Sequence, residues 1–199
     1  VNCFYKIFSE IDNVYWTNYF LNEFIPKNLF FEKQNDADSS YILYPKKTVI
    51  ENLEILKLSA LLSSKLKFPP IDYFLIFKHT KSQPIHIDSY PNIRNVSFNL
   101  PLTGYKGTDM CFYSLKSDAV AEVRDSYYFK NDDTNLVSKF AGTNEWVLVN
   151  TSVPHNIVNI DSNNPRLTVC LRFADNPKFE DLIARKKEFN SSLEHQKYF

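Results

Sequence analysis

Arg166-Leu167-Thr168-Val169-Cys170-Leu171-Arg172-Phe173 alternates without a break between two kinds of side chain. Successive residues of an extended backbone point to opposite faces. Leu167, Val169, Leu171 and Phe173 therefore share one face, and Arg166, Thr168, Cys170 and Arg172 share the other. Such a strand suits a sheet whose apolar face packs under helices while its mixed face lines the interior of a barrel.

The chain before it stays extended. Residues 72–79, 85–88, 93–101, 109–115, 119–129, 144–150 and 155–160 all read as short strands. Turn residues punctuate them at Pro91-Asn92, Gly104 to Gly107, Asn131 to Asp133 and Asn163-Asn164-Pro165. Short strands at this spacing predict a sandwich or barrel. The expected fold is mainly β with flanking helices: a double-stranded β-helix (jelly roll, cupin-like) backed by N-terminal helices.

Residues 1–8 read as a first strand. Ser9-Glu10-Ile11-Asp12 reads as a helix start, with Ile11, Tyr15, Phe20 and Phe24 as its apolar stripe and Pro26 as its end. Residues 28–31 and Tyr41 to Tyr44 are short strand candidates around the polar turn Asn35 to Ser40. Thr48-Val49-Ile50-Glu51 forms a capping box that opens a helix to about Lys65. Val49, Leu53, Leu56 and Ala60 recur on one face, broadened by Ile50, Leu58, Leu61 and Leu62. Asn176-Pro177 starts a last helix, about 177–190, with proline in its first turn. The expected organisation is one domain, 1–199, with helical support at 9–66 and a jelly-roll core at 71–175.

Pro84-Ile85-His86-Ile87-Asp88 carries the chemistry. Its histidine and carboxylate lie two residues apart on an extended chain, hence on one face, where they can hold one side of a metal ion. The third ligand is His155, delivered by the apolar run Trp146 to Asn150, unless His79 takes that place. His79 and His195 otherwise read as ordinary side chains. An interior Arg166 needs a carboxylate partner, because an unpaired buried charge is costly. That partner is either a bound dicarboxylate, gripped together with the Thr168 hydroxyl, or an acid of the protein itself. Arg172 is the alternative receptor.

The order His86-x-Asp88, then His155, then Arg166-x-Thr168 resembles the Fe(II)/2-oxoglutarate-dependent oxygenase superfamily. Arg94 to Phe173 most resembles its aspartyl/asparaginyl β-hydroxylase-like branch, through Leu100-Pro101-Leu102 after the first ligands and the lead-in Leu148 to His155. The resemblance covers about residues 71–175. It implies Fe(II) held by His86, Asp88 and His155, with 2-oxoglutarate and O2 as cosubstrates. The distal carboxylate of 2-oxoglutarate would meet Arg166 and Thr168, and Asn99 would help to hold the cosubstrate. Tyr73 either faces the cosubstrate or packs in the core. The implied activity is hydroxylation of a peptidyl side chain or small molecule, with release of succinate and CO2. In such folds a segment like Lys116 to Gly142 often covers the substrate; the alternative is an elaborated hairpin without catalytic contact.

Composition narrows the classes. Acidic and basic residues balance at 23 each, which gives no footprint for nucleic acid or an anionic membrane. With three glycines in all, there is no phosphate-cradling glycine loop. Cys3, Cys111 and Cys170 show no metal spacing and read as reduced thiols of a cytoplasmic protein. No secretory leader or bilayer-spanning run is legible. Two rival readings stay open: a cupin-like metal protein that uses no oxoacid, and a non-catalytic jelly-roll binding module.

Overall fold

The computed structural model describes residues 4–28, 39–88, 94–124 and 126–185. Residues 1–3 of the first strand, 29–31, the turn at 35–38, Pro91-Asn92, residues beyond 185 of the last helix, and His195 lie outside the described residues.

The chain begins with β1 (Tyr5–Phe8) and α1 (Asn13–Asn18). The cap of α1 is Asp12, whose carboxylate accepts the Tyr15 N–H, so the start falls after the Ser9 expected from the sequence. A π-helical stretch, Tyr19–Phe24, leads into α2 (Ile25–Asn28). The helix thus passes Pro26: wider turns precede the proline, whose missing N–H would break a regular ladder. On the apolar stripe Trp16 is buried and Tyr15 exposed, reversing the expected choice.

Next come β2 (Ser39–Tyr44), α3 (Lys46–Glu51) and α4 (Leu53–Leu66). The single helix expected at 48–65 is broken at Asn52, whose side chain caps α4 by accepting the Ile55 N–H. The break resets the helical phase. Leu53, Leu56 and Ala60 face outward, and Ile55, Leu58, Leu62 and Leu66 are the buried stripe.

The strands that follow are β3 (Ile71–His79), β4 (Ile85–Ile87), β5 (Val96–Thr103), β6 (Asp109–Leu115), β7 (Glu122–Val123), β8 (Tyr127–Phe129), β9 (Thr134–Ala141), β10 (Trp146–Asn150), β11 (His155–Val158) and β12 (Arg166–Phe173). The run expected at 119–129 is two short strands. β9 was not legible as a strand: it is an edge strand with Leu136 and Val137 exposed, so it lacks an apolar alternation. Residues 179–185 are helical; the helix starts after Pro177.

Two six-stranded sheets result, ordered β1-β10-β5-β12-β3-β2 and β7-β8-β4-β11-β6-β9, with every pair antiparallel. The chain passes back and forth between β3, β5, β10 and β12 of one sheet and β4, β6, β9 and β11 of the other, which is a cupin-like jelly roll. Within segment 116–142, β7 and β8 extend the second sheet beyond β4, with Tyr128 opposite His86, and β9 pairs with β6 at the other edge. β12 lies between β3 and β5, and its alternation is realised as expected. Val169, Leu171 and Phe173 join Phe74, Phe98, Leu148 and Trp146 against Phe20, Phe24, Leu58 and Leu62 of the helices. Each such fully buried side chain contributes about 1.5–3 kcal/mol. The opposite face looks into the barrel, where Met110, Phe112, Val147, Val149 and Ile157 form a second, smaller core. Among the described residues, no helix is long and apolar enough to cross a membrane.

Candidate metal centre

His86 sits mid-strand on β4 and pairs directly with His155, the first residue of β11. Their ring centroids are 4.5 Å apart. Asp88 leaves the end of β4 on the same side, its Oδ1 3.3 Å from His86 Nε2 and 3.7 Å from His155 Nε2. His86, Asp88 and His155 each offer one ligand atom, and these lie within 4.8 Å of one another. Neighbouring octahedral donors about 2.1 Å from one ion sit about 3 Å apart, so small side-chain adjustments suffice to close the set around a metal.

The donor chemistry also fits. His86 Nδ1 is 2.9 Å from the Pro84 carbonyl, and His155 Nδ1 is 2.8 Å from the Val153 carbonyl. Each carbonyl can only accept, so each Nδ1 carries the proton and each Nε2 turns its lone pair inward. Burial, and then the neighbouring His86, lower the pKa of His155 to about 4, which keeps its ring neutral at physiological pH.

Asp88 is oriented from behind. Arg172 Nη2 donates to Oδ2 at 2.5 Å, leaving Oδ1 toward the imidazoles. Arg172 Nη1 donates to the Val96 carbonyl at 2.7 Å and to the Thr151 hydroxyl at 3.3 Å. The Asp88 N–H donates to the Thr151 carbonyl, and the Thr151 hydroxyl to that of Arg94. Burial alone would raise the Asp88 pKa; the Arg172 charge and the two imidazoles reverse this and hold it well below the ordinary carboxylate range. The fallback receptor of the sequence reading is thus already engaged with a protein acid.

Arg166 is not. It is buried on the interior face, with Nε donating to the Thr168 hydroxyl at 3.2 Å and Nη1 to the Thr108 hydroxyl at 2.7 Å. No carboxylate among the described residues pairs with it, and burial lowers its pKa to about 10. Thr108 had no signal in the sequence. It is delivered by the Gly104–Gly107 turn and held where Gly142 passes: a side chain at Gly142 would collide with the Tyr105 carbonyl and the Thr108 hydroxyl. Asn99 pairs with Cys170 on the same interior face and accepts a short hydrogen bond from Ser97. Tyr73 lies opposite Arg172, away from Arg166, with the Arg94 guanidinium 5.3 Å above its ring. His79 lies opposite Arg166 and is not part of the His86–Asp88–His155 group.

No family model matches this sequence, and no curated protein is detectably similar to it. Solved structures do share its shape. HygX from Streptomyces hygroscopicus, solved with nickel and 2-oxoglutarate bound, superposes with a TM-score of 0.51 at 10% identity, over 86% of this chain and 83% of its own. E. coli ycfD superposes with a TM-score of 0.43 at 14% identity, over 78% of this chain and 39% of its own. Vicilin from Corylus avellana (hazelnut) gives 0.35 at 10% identity, over 72% of this chain and 32% of its own. The chain therefore spans well under half the length of the last two. At these identities the likeness extends to the fold.

Proposed function

We propose that this protein is a non-haem Fe(II)- and 2-oxoglutarate-dependent oxygenase that hydroxylates a peptidyl side chain or a small molecule. One observation carries the reading: a three-residue donor set, open to further ligands, faces the same interior as a buried arginine without an acid. A closed structural metal site would need neither the open positions nor the arginine. The HygX likeness supports the fold assignment. Leu100-Pro101-Leu102 and Leu148 to His155 support the aspartyl/asparaginyl β-hydroxylase-like branch. A reducing, cytoplasmic setting belongs to this reading, since Cys111 and Cys170 are free, buried thiols.

His86, Asp88 and His155 would hold Fe(II), with Arg172 keeping Asp88 ionised and its second oxygen occupied. The chemistry supplied by bound Fe(II) is the coupling of O2 to oxidative decarboxylation of 2-oxoglutarate, so that a substrate C–H becomes C–OH and succinate and CO2 leave. Arg166, assisted by Thr168 and Thr108, would receive the distal carboxylate of 2-oxoglutarate, and Asn99 would border the cosubstrate. The low-dielectric barrel strengthens that grip and excludes bulk water.

Anaerobic addition of 2-oxoglutarate to the Fe(II)-loaded protein should produce a weak visible charge-transfer band, and O2 should then yield succinate. Asp88→Ala, run in parallel, should give neither. A cupin-like metal protein with the same ligands would bind metal but develop no band. A binding module would also show succinate no higher than Asp88→Ala.

A further inference from the structure

His79 is the buried polar group that neither the metal centre nor the core explains. It ends β3, directly opposite Arg166 on the interior face, and is 4% exposed. Its ring stacks on Phe77 with centroids 5.4 Å apart, which fixes its plane. Gln83 Nε2 approaches His79 Nε2 at 3.4 Å. The amide nitrogen can only donate, so Nε2 accepts and the ring proton sits on Nδ1. Gln83 is itself anchored, its N–H donating to the Ile157 carbonyl and its carbonyl accepting from Asn156. Nδ1 is buried without a hydrogen-bond partner among the described residues. A buried donor left unmet is costly, and here it lies across the strand pair from a guanidinium that lacks an acid among the described residues. The unpartnered donor and the guanidinium without an acid together mark a site for an oxyanion.

We propose that His79 is a second donor to the carboxylate received by Arg166, its Nδ1–H completing a receptor that Arg166, Thr108 and Thr168 otherwise form alone. The proposal rests on the oxygenase reading for the identity of that carboxylate, the distal one of 2-oxoglutarate. His79 contributes as a neutral donor: burial first, and then the Arg166 charge, lower its pKa to about 3. Its function is to bind the cosubstrate, with no part in holding the metal.

The test compares wild type, His79→Phe, His79→Asn and Arg166→Met. Fe(II) affinity is measured by anaerobic calorimetry, and 2-oxoglutarate affinity by the charge-transfer band. Losing a hydrogen bond to a charged group should weaken 2-oxoglutarate binding about tenfold or more in His79→Phe, with Fe(II) binding unchanged. His79→Asn places an amide N–H near the Nδ1 position and should recover much of the loss, which a packing role would not allow. In wild type, the ¹⁵N resonance of His79 Nδ1 should shift when 2-oxoglutarate is added. Normal 2-oxoglutarate binding by His79→Phe alongside weakened binding by Arg166→Met would overturn the His79 assignment and leave the oxygenase reading standing. No binding by wild type would overturn both. Should His79→Phe misfold, an Nδ1 resonance that ignores 2-oxoglutarate decides against the proposal.

Discussion

Replacing Arg172 by Met tests the electrostatic frame of the candidate metal centre. Arg172 donates to Asp88, Val96 and Thr151 from a fully enclosed position, and Asp88 is half-buried with its side chain 18% exposed. Methionine fills much of the volume of the arginine stem, so the cavity term stays small. What remains is a carboxylate in the barrel mouth without its cation. Breaking a buried pair by removing one partner costs about 3–5 kcal/mol. At about 2–4 °C per kcal/mol for a chain of this size, metal-free Arg172→Met should melt about 6–20 °C below wild type. A saturating divalent ion should restore part of that loss, because it supplies positive charge to Asp88 Oδ1. Replacing both partners, as Arg172→Met with Asp88→Leu, should recover more stability than the single change, since an apolar pair leaves no charge unmet. The assay is calorimetric melting at pH 7 with chelator and then with metal. A metal-free Arg172→Met that melts within about 2 °C of wild type would refute the reasoning.

Arg166 should behave oppositely: Arg166→Met removes an uncompensated buried charge, so melting without cosubstrate should be unchanged or higher while 2-oxoglutarate affinity falls by about 1.5–3 kcal/mol. A large loss of stability in that variant would indicate a structural arginine. Metal-free stability should fall as pH drops below about 6.5, measured by urea unfolding at pH 7 and pH 5. His155 and His79 have folded pKa values of about 4 and about 3 against 6.5 ordinarily, so the unfolded chain binds the additional protons across that window. Equal stability at the two pH values would contradict the neutral, buried state of both rings. Gly142→Ala forces a Cβ against backbone at Tyr105 and against the Thr108 hydroxyl, and should cost about 1–3 kcal/mol. The same change should weaken 2-oxoglutarate binding, read from the charge-transfer titration, through the displaced partner of Arg166.

Local pattern carried much of this protein. The parity of β12 told which residues face the helices and which face the barrel, because a pleated strand has a strict period of two. His86-x-Asp88 sits on one face for the same reason, and the short strands with their turn residues announced a jelly roll. Parity could not say which of two arginines on one face meets a protein acid. Arg166 and Arg172 are equivalent by alternation, and only the return of β4 beside the far end of β12 pairs Arg172 with Asp88 and leaves Arg166 without an acid among the described residues. The helical stripe failed for a related reason. Asn52 caps a new helix, and a break of a residue or two rotates every later side chain about the axis, which no periodicity count across the break can register. β9 escaped because Leu136 and Val137 are adjacent and both exposed, so its apolar residues do not alternate toward one buried face. Thr108 and His79 become candidates only through neighbours distant in sequence, Arg166 above all. The sequence alone settled which side chains share a face; the tertiary structure decided which of them share a space, since that depends on how strands from the two sheets close over one interior.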